Sequence, residues 1–246
     1  MLPTERTLIL GATGLLGLSA LTGCSSTVVE PNTSTWSATT AAAPQPTPSV
    51  VTTSPSPEPA FTNPKPTAPA NTQQVTAPKN QLRFAVPQNW QKISAEDIVN
   101  DSAAKKHLEQ VAQETGTDAE GILAEIEKLD VMLTGLPDET TGYADSINVN
   151  GAPVAAETLP LKEELSTMVT RFGATPGEYQ TLPTPMGRAA SILYTTQDND
   201  KTVHGSVLVV PAGTGSGFTT FIISSSKKQN VMRYVNLITQ SVESTY

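Results

Sequence analysis

The sequence predicts an α+β fold, in which helices cover a mostly antiparallel sheet, after a disordered tether rich in proline and threonine. Alternating polar and apolar residues, typical of strands, recur between residues 81 and 224, and apolar residues at helical spacing interrupt them. The strands cluster instead of alternating regularly with helices, which favours α+β over α/β. Eleven of the 20 prolines lie between Pro31 and Pro78, so the globular part should begin after them.

The first 23 residues have the organisation of a bacterial signal peptide. A short polar head contains Arg6, and residues 8–20 form an apolar run of 13 residues, which is too short to span a bilayer. The run ends at Leu21-Thr22-Gly23-Cys24, which resembles a lipobox, the processing site of bacterial lipoproteins. The resemblance implies that Cys24 Sγ receives a diacylglyceryl group and that Cys24 becomes the first residue of the mature chain.

Two other interpretations apply to the same residues. The segment could be an ordinary secretory signal in which the cysteine is incidental. The glycines Gly11, Gly14 and Gly17 also imitate the glycine-rich turn of a dinucleotide-binding unit. Such a unit needs a helix, a second strand and an acidic residue about 20 residues further on. A tail rich in proline and threonine follows instead, which disfavours nucleotide binding.

Residues 24–80 are predicted to be a lipid-anchored linker. They are rich in Pro, Ser and Thr and contain few large apolar residues, so they cannot bury enough surface to offset the entropy of ordering. The sequence therefore divides into a signal peptide (1–23), a disordered linker (24–80) and an α+β domain (81–246).

The elements of the domain follow from periodicity and from start and stop signals. Ser94-Ala-Glu-Asp97 and Thr117-Asp-Ala-Glu120 resemble capping boxes, and Pro160 is well placed as the first residue of a third helix. A last amphipathic helix carries Val231, Tyr234, Val235, Ile238 and Val242 on one face. Strands are predicted at residues 81–86, 131–133, 146–150, 178–182, 189–196, 202–210 and 218–224.

Part of this pattern resembles a known family. The opening Phe84-Ala-Val-Pro-Gln-Asn-Trp90, the middle strand at residues 146–149 and the final hairpins with their helix are similar to the PsbP/Mog1-like fold. Within it the chain most resembles actinobacterial lipoproteins of the LpqN/LpqT type. The resemblance covers residues 80–246 and implies a scaffold or binding module to which no catalytic residue carries over.

Charge and cysteine content narrow the function. The net charge of −8 lies in the C-terminal domain, which has 20 acidic against 12 basic residues. Such a domain repels phosphate backbones, so nucleic-acid binding is not expected. The single cysteine excludes an internal disulfide framework.

The residues that could carry chemistry do not form a recognisable set. His107 is expected on a solvated helix face, and His204 lies in a strand near Ser206 without an acid to complete a triad. The loop Gly213-Thr-Gly-Ser-Gly217 precedes a strand, which favours a flexible hairpin over an anion site. Asp198-Asn-Asp200 is interpreted as a turn. We therefore predict no cofactor and no metal.

Trp90 is the one aromatic candidate for a ligand site in the domain. It is expected either to pack in the core or to serve as a stacking platform at a binding cleft.

The sequence thus favours a non-catalytic binding or scaffold module on the extracytoplasmic face of the cell membrane, held there by the diacylglyceryl anchor on Cys24. Its partner would be another envelope protein or an envelope lipid or glycan. Two alternatives remain open, a carrier of lipid or glycolipid and, less favoured, an envelope hydrolase.

Overall fold

The computed structural model describes residues 63–115, 118–198 and 201–246, which form two antiparallel sheets and five helices. The larger sheet has seven strands and the smaller one three. The strands are β1 (Thr72–Ala77), β2 (Leu82–Pro87), β3 (Gln91–Ile93), β4 (Leu129–Pro137), β5 (Ala144–Asn150), β6 (Thr175–Thr184), β7 (Gly187–Asp198), β8 (Lys201–Pro211), β9 (Phe218–Ser225) and β10 (Glu243–Ser244). The helices are α1 (Ala95–Asn100), α2 (Ser102–Thr115), α3 (Ala119–Lys128), α4 (Lys162–Arg171) and α5 (Lys228–Ser241).

The strand order defines the architecture. The large sheet runs β3-β4-β5-β9-β8-β7-β6 and the small sheet β1-β2-β10, and every pairing in both is antiparallel. The α+β fold with a mostly antiparallel sheet covered by helices is therefore confirmed.

The main core lies between one face of the large sheet and a layer made of β2 and α5. Phe84 of β2 meets Phe221 of β9 edge to face, with ring centroids 5.0 Å apart. The apolar face of α5 closes this core with Val231, Val235 and Ile238, all of them buried. The amphipathic pattern predicted for the last helix is thus confirmed, and its polar face points outward.

The opposite face of the large sheet carries two separate apolar clusters. Helices α1 to α3 pack around Ile98, Leu108 and Ile126 over the β3–β4 side, and α4 packs with Leu165 and Val169 over β7 and β8. Burial of these helical stripes holds the short helices in place, since helices of this length are marginal in isolation.

Local signals explain the helix starts. The capping box predicted for α1 is present, because Ser94 Oγ accepts from Asp97 N at 3.1 Å and Ser94 N donates to Asp97 Oδ2 at 2.8 Å. Helix α3 is capped by Asp118, one residue after the predicted Thr117. Helix α4 begins at Lys162, two residues after Pro160.

The predicted boundary between linker and domain at residue 81 is wrong. Strand β1 lies within the predicted linker and pairs with β2 from Thr72 opposite Pro87 to Ala77 opposite Leu82. Asn80, the last residue of that linker, is completely buried. The sequence does not predict this strand, because Val75 and Ala77 are its only apolar residues and it is stabilised by pairing with β2.

A candidate binding groove beside the C-terminal helix

An open groove of about 850 Å³ lies along the outward face of α5. One wall is the helix, and the other is made by residues 69–72, at the start of β1, together with Pro87 and Asn89 at the end of β2. We call it the α5 groove. Its volume falls in the range that ligand pockets in proteins commonly show.

The helical wall is a regular stripe. Its residues recur at intervals of three and four, so they share one face of α5. All but Leu237 are exposed. The stripe consists of Gln229, Met232, Arg233, Asn236, Leu237 and Gln240.

The chemistry of the lining is mostly neutral and hydrogen-bonding. Five of the twelve described lining residues have carboxamide side chains, and Arg233 is the only charged one. Pro69, Pro87 and Met232 supply apolar surface between them. Such a lining can bind a ligand that exposes donors and acceptors next to apolar groups. The five carboxamides belong to Asn71, Asn89, Gln229, Asn236 and Gln240.

Arg233 is held in place by the residues beneath it. Its guanidinium lies over the ring of Tyr234, 5.0 Å from the centroid, and its Nη2 donates to the Tyr234 hydroxyl at 3.1 Å. That hydroxyl donates to Asp145 Oδ2 at 2.6 Å, and Asn230 Nδ2 donates to the same oxygen at 3.0 Å. Burial, assisted by the hydrogen bond to Asp145, raises the pKa of Tyr234, so its hydroxyl stays protonated.

Trp90 belongs to the core under this network and not to a cleft. Its indole meets Tyr234 edge to face at 4.8 Å between centroids, and only 6% of the residue is exposed. A Cβ on Gly135 would lie 3.1 Å from Trp90 Nε1, so the strand β4 closes over the ring. The proposed role of Trp90 as a stacking platform is therefore wrong, because no ligand can reach a ring packed on both sides.

The histidine and serine candidates do not form a catalytic pair. Ser206 is completely buried, and its Oγ shares a hydrogen bond with Ser191 Oγ at 2.8 Å. His204 lines a smaller cavity of about 270 Å³ with Tyr194, Gly205 and Lys228. Burial raises the pKa of Tyr194, which disfavours its ionisation there.

The glycine-rich loop joins two strands, as predicted. Gly215 and Gly217 have positive φ angles of 82° and 73°, and β9 begins at Phe218. Gly213 is needed for a close approach, because a Cβ there would lie 1.9 Å from Gln81 O. The loop thus docks on the turn between β1 and β2.

Several predicted residues fall outside the described residues. These are the residues of the predicted lipobox, Leu21, Thr22, Gly23 and Cys24, together with Asn199 and Asp200 of the predicted turn. Asp198 pairs with Lys201, so two residues connect β7 and β8. Among residues 63–115, 118–198 and 201–246, the structure contains no group of three metal-binding side chains. In the same part of the chain no helix has the length and apolarity required to cross a bilayer.

Together, the fold and the groove define an α+β domain with a hydrogen-bonding cleft on the exposed side of its last helix. Among solved structures, the chain is similar to the solution structure of the cyanobacterial PsbP protein CyanoP from Synechocystis sp. PCC 6803. The two are 13% identical, the likeness covers 72% of this chain and 94% of that one, and the TM-score is 0.42. No protein-family model and no curated protein matches the chain.

The groove could have been anticipated only in part. The polar face of the last helix is implied by its apolar face, so the exposure of Arg233 and Asn236 follows from the sequence. The second wall does not, because it depends on β1 and on the chain that precedes it.

Proposed function

We propose that this protein is a lipoprotein of the LpqN/LpqT type, anchored in the cell membrane and exposed on its extracytoplasmic face. In this proposal it acts without catalysis, as a binding or scaffold module. The proposed lipid anchor is supported by one observation, the motif Leu21-Thr22-Gly23-Cys24 directly after the apolar run of residues 8–20. The two acyl chains of a diacylglyceryl group anchor a protein stably, whereas one chain binds only marginally.

The binding role is supported by the α5 groove. The wall of the groove contains residues 69–72, so the recognition surface lies where the linker enters the domain. About 40 residues separate Cys24 from Asn63, and as a flexible coil they would span about 35 Å. The domain could then reach a neighbouring envelope component while Cys24 stays anchored in the membrane.

The anchor is tested by Cys24→Ala in the full chain, produced in a bacterium with lipoprotein processing. Wild type should fractionate with membranes and show the mass of a chain that starts at a diacylglyceryl-modified Cys24. Cys24→Ala should lose both properties, while the matched variant Ser26→Ala keeps them. Unchanged membrane association and mass in Cys24→Ala would refute the proposal.

The groove is tested by a photo-crosslinking amino acid at Asn236, with the same group at Thr167 on the exposed side of α4 as control. In native envelopes, Asn236 should yield a discrete adduct that Thr167 does not yield, and Cys24→Ala should abolish it. Equal adducts at both sites would contradict a binding role for the groove. Lipid extraction of the purified chain separates the alternative of a carrier, which would release a stoichiometric lipid.

A further inference from the structure

We propose that the α5 groove binds an extended peptide segment that presents one carboxylate to Arg233. This inference rests on the proposed function and specifies the ligand of the same site. It is carried by the length of the groove, the arrangement of its carboxamides and the position of its single charge.

The dimensions suit a short extended segment. From Gln229 to Gln240 the helical wall spans eleven residue steps, or about 16 Å. An extended or polyproline chain advances about 3.1–3.3 Å per residue, so the groove accommodates about five residues. The opposite wall runs along the start of β1, so the groove is a channel rather than a round cavity.

The carboxamides match a peptide main chain. Each offers two donors and one acceptor, as successive N–H and C=O groups of an extended chain require. Gln229, Asn236 and Gln240 supply them from the helix, while Asn71 and Asn89 supply them from the other wall. None of the five side chains makes a hydrogen bond to another described residue, so all are available to a ligand without disrupting the fold.

Arg233 selects a carboxylate. Its guanidinium is positioned by the ring and hydroxyl of Tyr234, and that hydroxyl is in turn fixed by Asp145. The remaining N–H groups of a positioned arginine suit the planar carboxylate. The net charge of −8 opposes a strongly acidic partner, so we infer one carboxylate and not an acidic tract.

The chain that leads into β1 already contacts the C-terminal end of α5. At the end of the groove, Thr67 N donates to Gln240 O at 2.8 Å. The exposed, proline-rich residues 63–70 have neither helical nor strand structure before the turn that leads into β1. Nearer Gln229 the main-chain carbonyls of α5 are engaged in helical hydrogen bonds, so a bound peptide would contact the side chains of the helical stripe instead. A glycan is less well matched, since the described lining contains no aromatic ring on which a sugar could stack.

The experiment selects random octapeptides displayed on phage against the immobilised full chain. Sequences with Asp or Glu at one fixed position should be enriched. The selected peptide, synthesised with a fluorophore, should lose at least tenfold in affinity for Arg233→Gln and for its own Glu→Gln or Asp→Asn form. The two changes together should cost no more than either alone. Arg171→Gln on α4 is the matched control and should bind like wild type.

Enrichment without a fixed acid, or binding that Arg233→Gln leaves unchanged, would overturn the proposal. So would a failure to enrich any peptide. A parallel array of oligosaccharides tests the other ligand class. Glycan binding that depends on Arg233, without peptide binding, would refute the proposal that the groove binds a peptide. In that case the crosslink at Asn236 still supports a binding module, whereas loss of that crosslink refutes the proposed function as well.

Discussion

Asn80 connects the small sheet to the large one, and its replacement by alanine should be strongly destabilising. Its Nδ2 donates to Asp130 Oδ2 at 2.8 Å and to Asn150 O at 2.6 Å, and its Oδ1 accepts from Thr219 Oγ1 at 2.8 Å. Its backbone N–H also donates to Asp130 Oδ2 at 2.8 Å. The side chain thus joins the turn between β1 and β2 to three strands of the large sheet.

The magnitude follows from these three side-chain bonds. A buried hydrogen bond to a charged group contributes about 2 kcal/mol and each neutral one about 1 kcal/mol, so Asn80→Ala should cost about 4 kcal/mol. With a urea dependence of about 2 kcal/mol per molar, the midpoint of unfolding should fall by about 2 M. The measurement is urea unfolding of the full chain at pH 7, followed by far-ultraviolet circular dichroism.

Two further variants make the test decisive. Asn100→Ala changes an exposed asparagine at the end of α1 and should alter stability by no more than about 0.5 kcal/mol. Thr219→Val removes a single bond to Asn80 and should cost about 1–2 kcal/mol, which keeps the protein folded. The reasoning is refuted if Asn80→Ala matches the Asn100→Ala control, or if Thr219→Val adds its full cost to Asn80→Ala.

Two other predictions concern the pair Asp138 and Lys227 and the contact of Gly205 with Tyr194. The Lys227 ammonium lowers the pKa of Asp138 to about 2, so the stabilisation that the carboxylate provides is complete above about pH 4 and is lost as the pH falls through 2. Carboxyl NMR should show the Asp138 pKa return toward its ordinary value in Lys227→Gln; an unchanged value would exclude the lysine as the cause. A Cβ on Gly205 would lie 2.0 Å from Tyr194 Cζ, so Gly205→Ala should cost about 3 kcal/mol in urea unfolding. Addition of Tyr194→Ala should make the combined loss smaller than the sum of the two single losses, and strict additivity would disprove the clash.

The elements that the sequence predicted well are those whose signal is local. The last helix and the strands β7, β8 and β9 bury most of one face, or both faces, and their apolar periodicity is strong. The capping box at Ser94 could also be predicted, since Ser94 and its partner Asp97 lie within four residues of each other. By contrast, β1 and the three-residue β3 contain too few apolar residues to be recognised alone.

The candidate site, too, was predictable from the sequence only in part. Trp90 could be recognised as an aromatic residue at the end of a strand, but only the structure shows Tyr234 and Gly135 packed around its ring. The α5 groove needs residues 69–72 beside residues 229–240. No sequence pattern within either segment predicts that the two lie side by side.

The sequence by itself determined the acidic α+β character of the domain and the periodicity of its main elements. It also contains Leu21-Thr22-Gly23-Cys24, whose resemblance to a lipobox is the basis of the anchoring proposal. These properties are encoded within a few residues of each other. Only the tertiary structure decided that Asn80 is a buried connector, that Trp90 is core and that one face of α5 borders a groove. Each of these depends on contacts between residues about 45 to 170 positions apart in the chain, where burial and register are set by the packing of the whole domain.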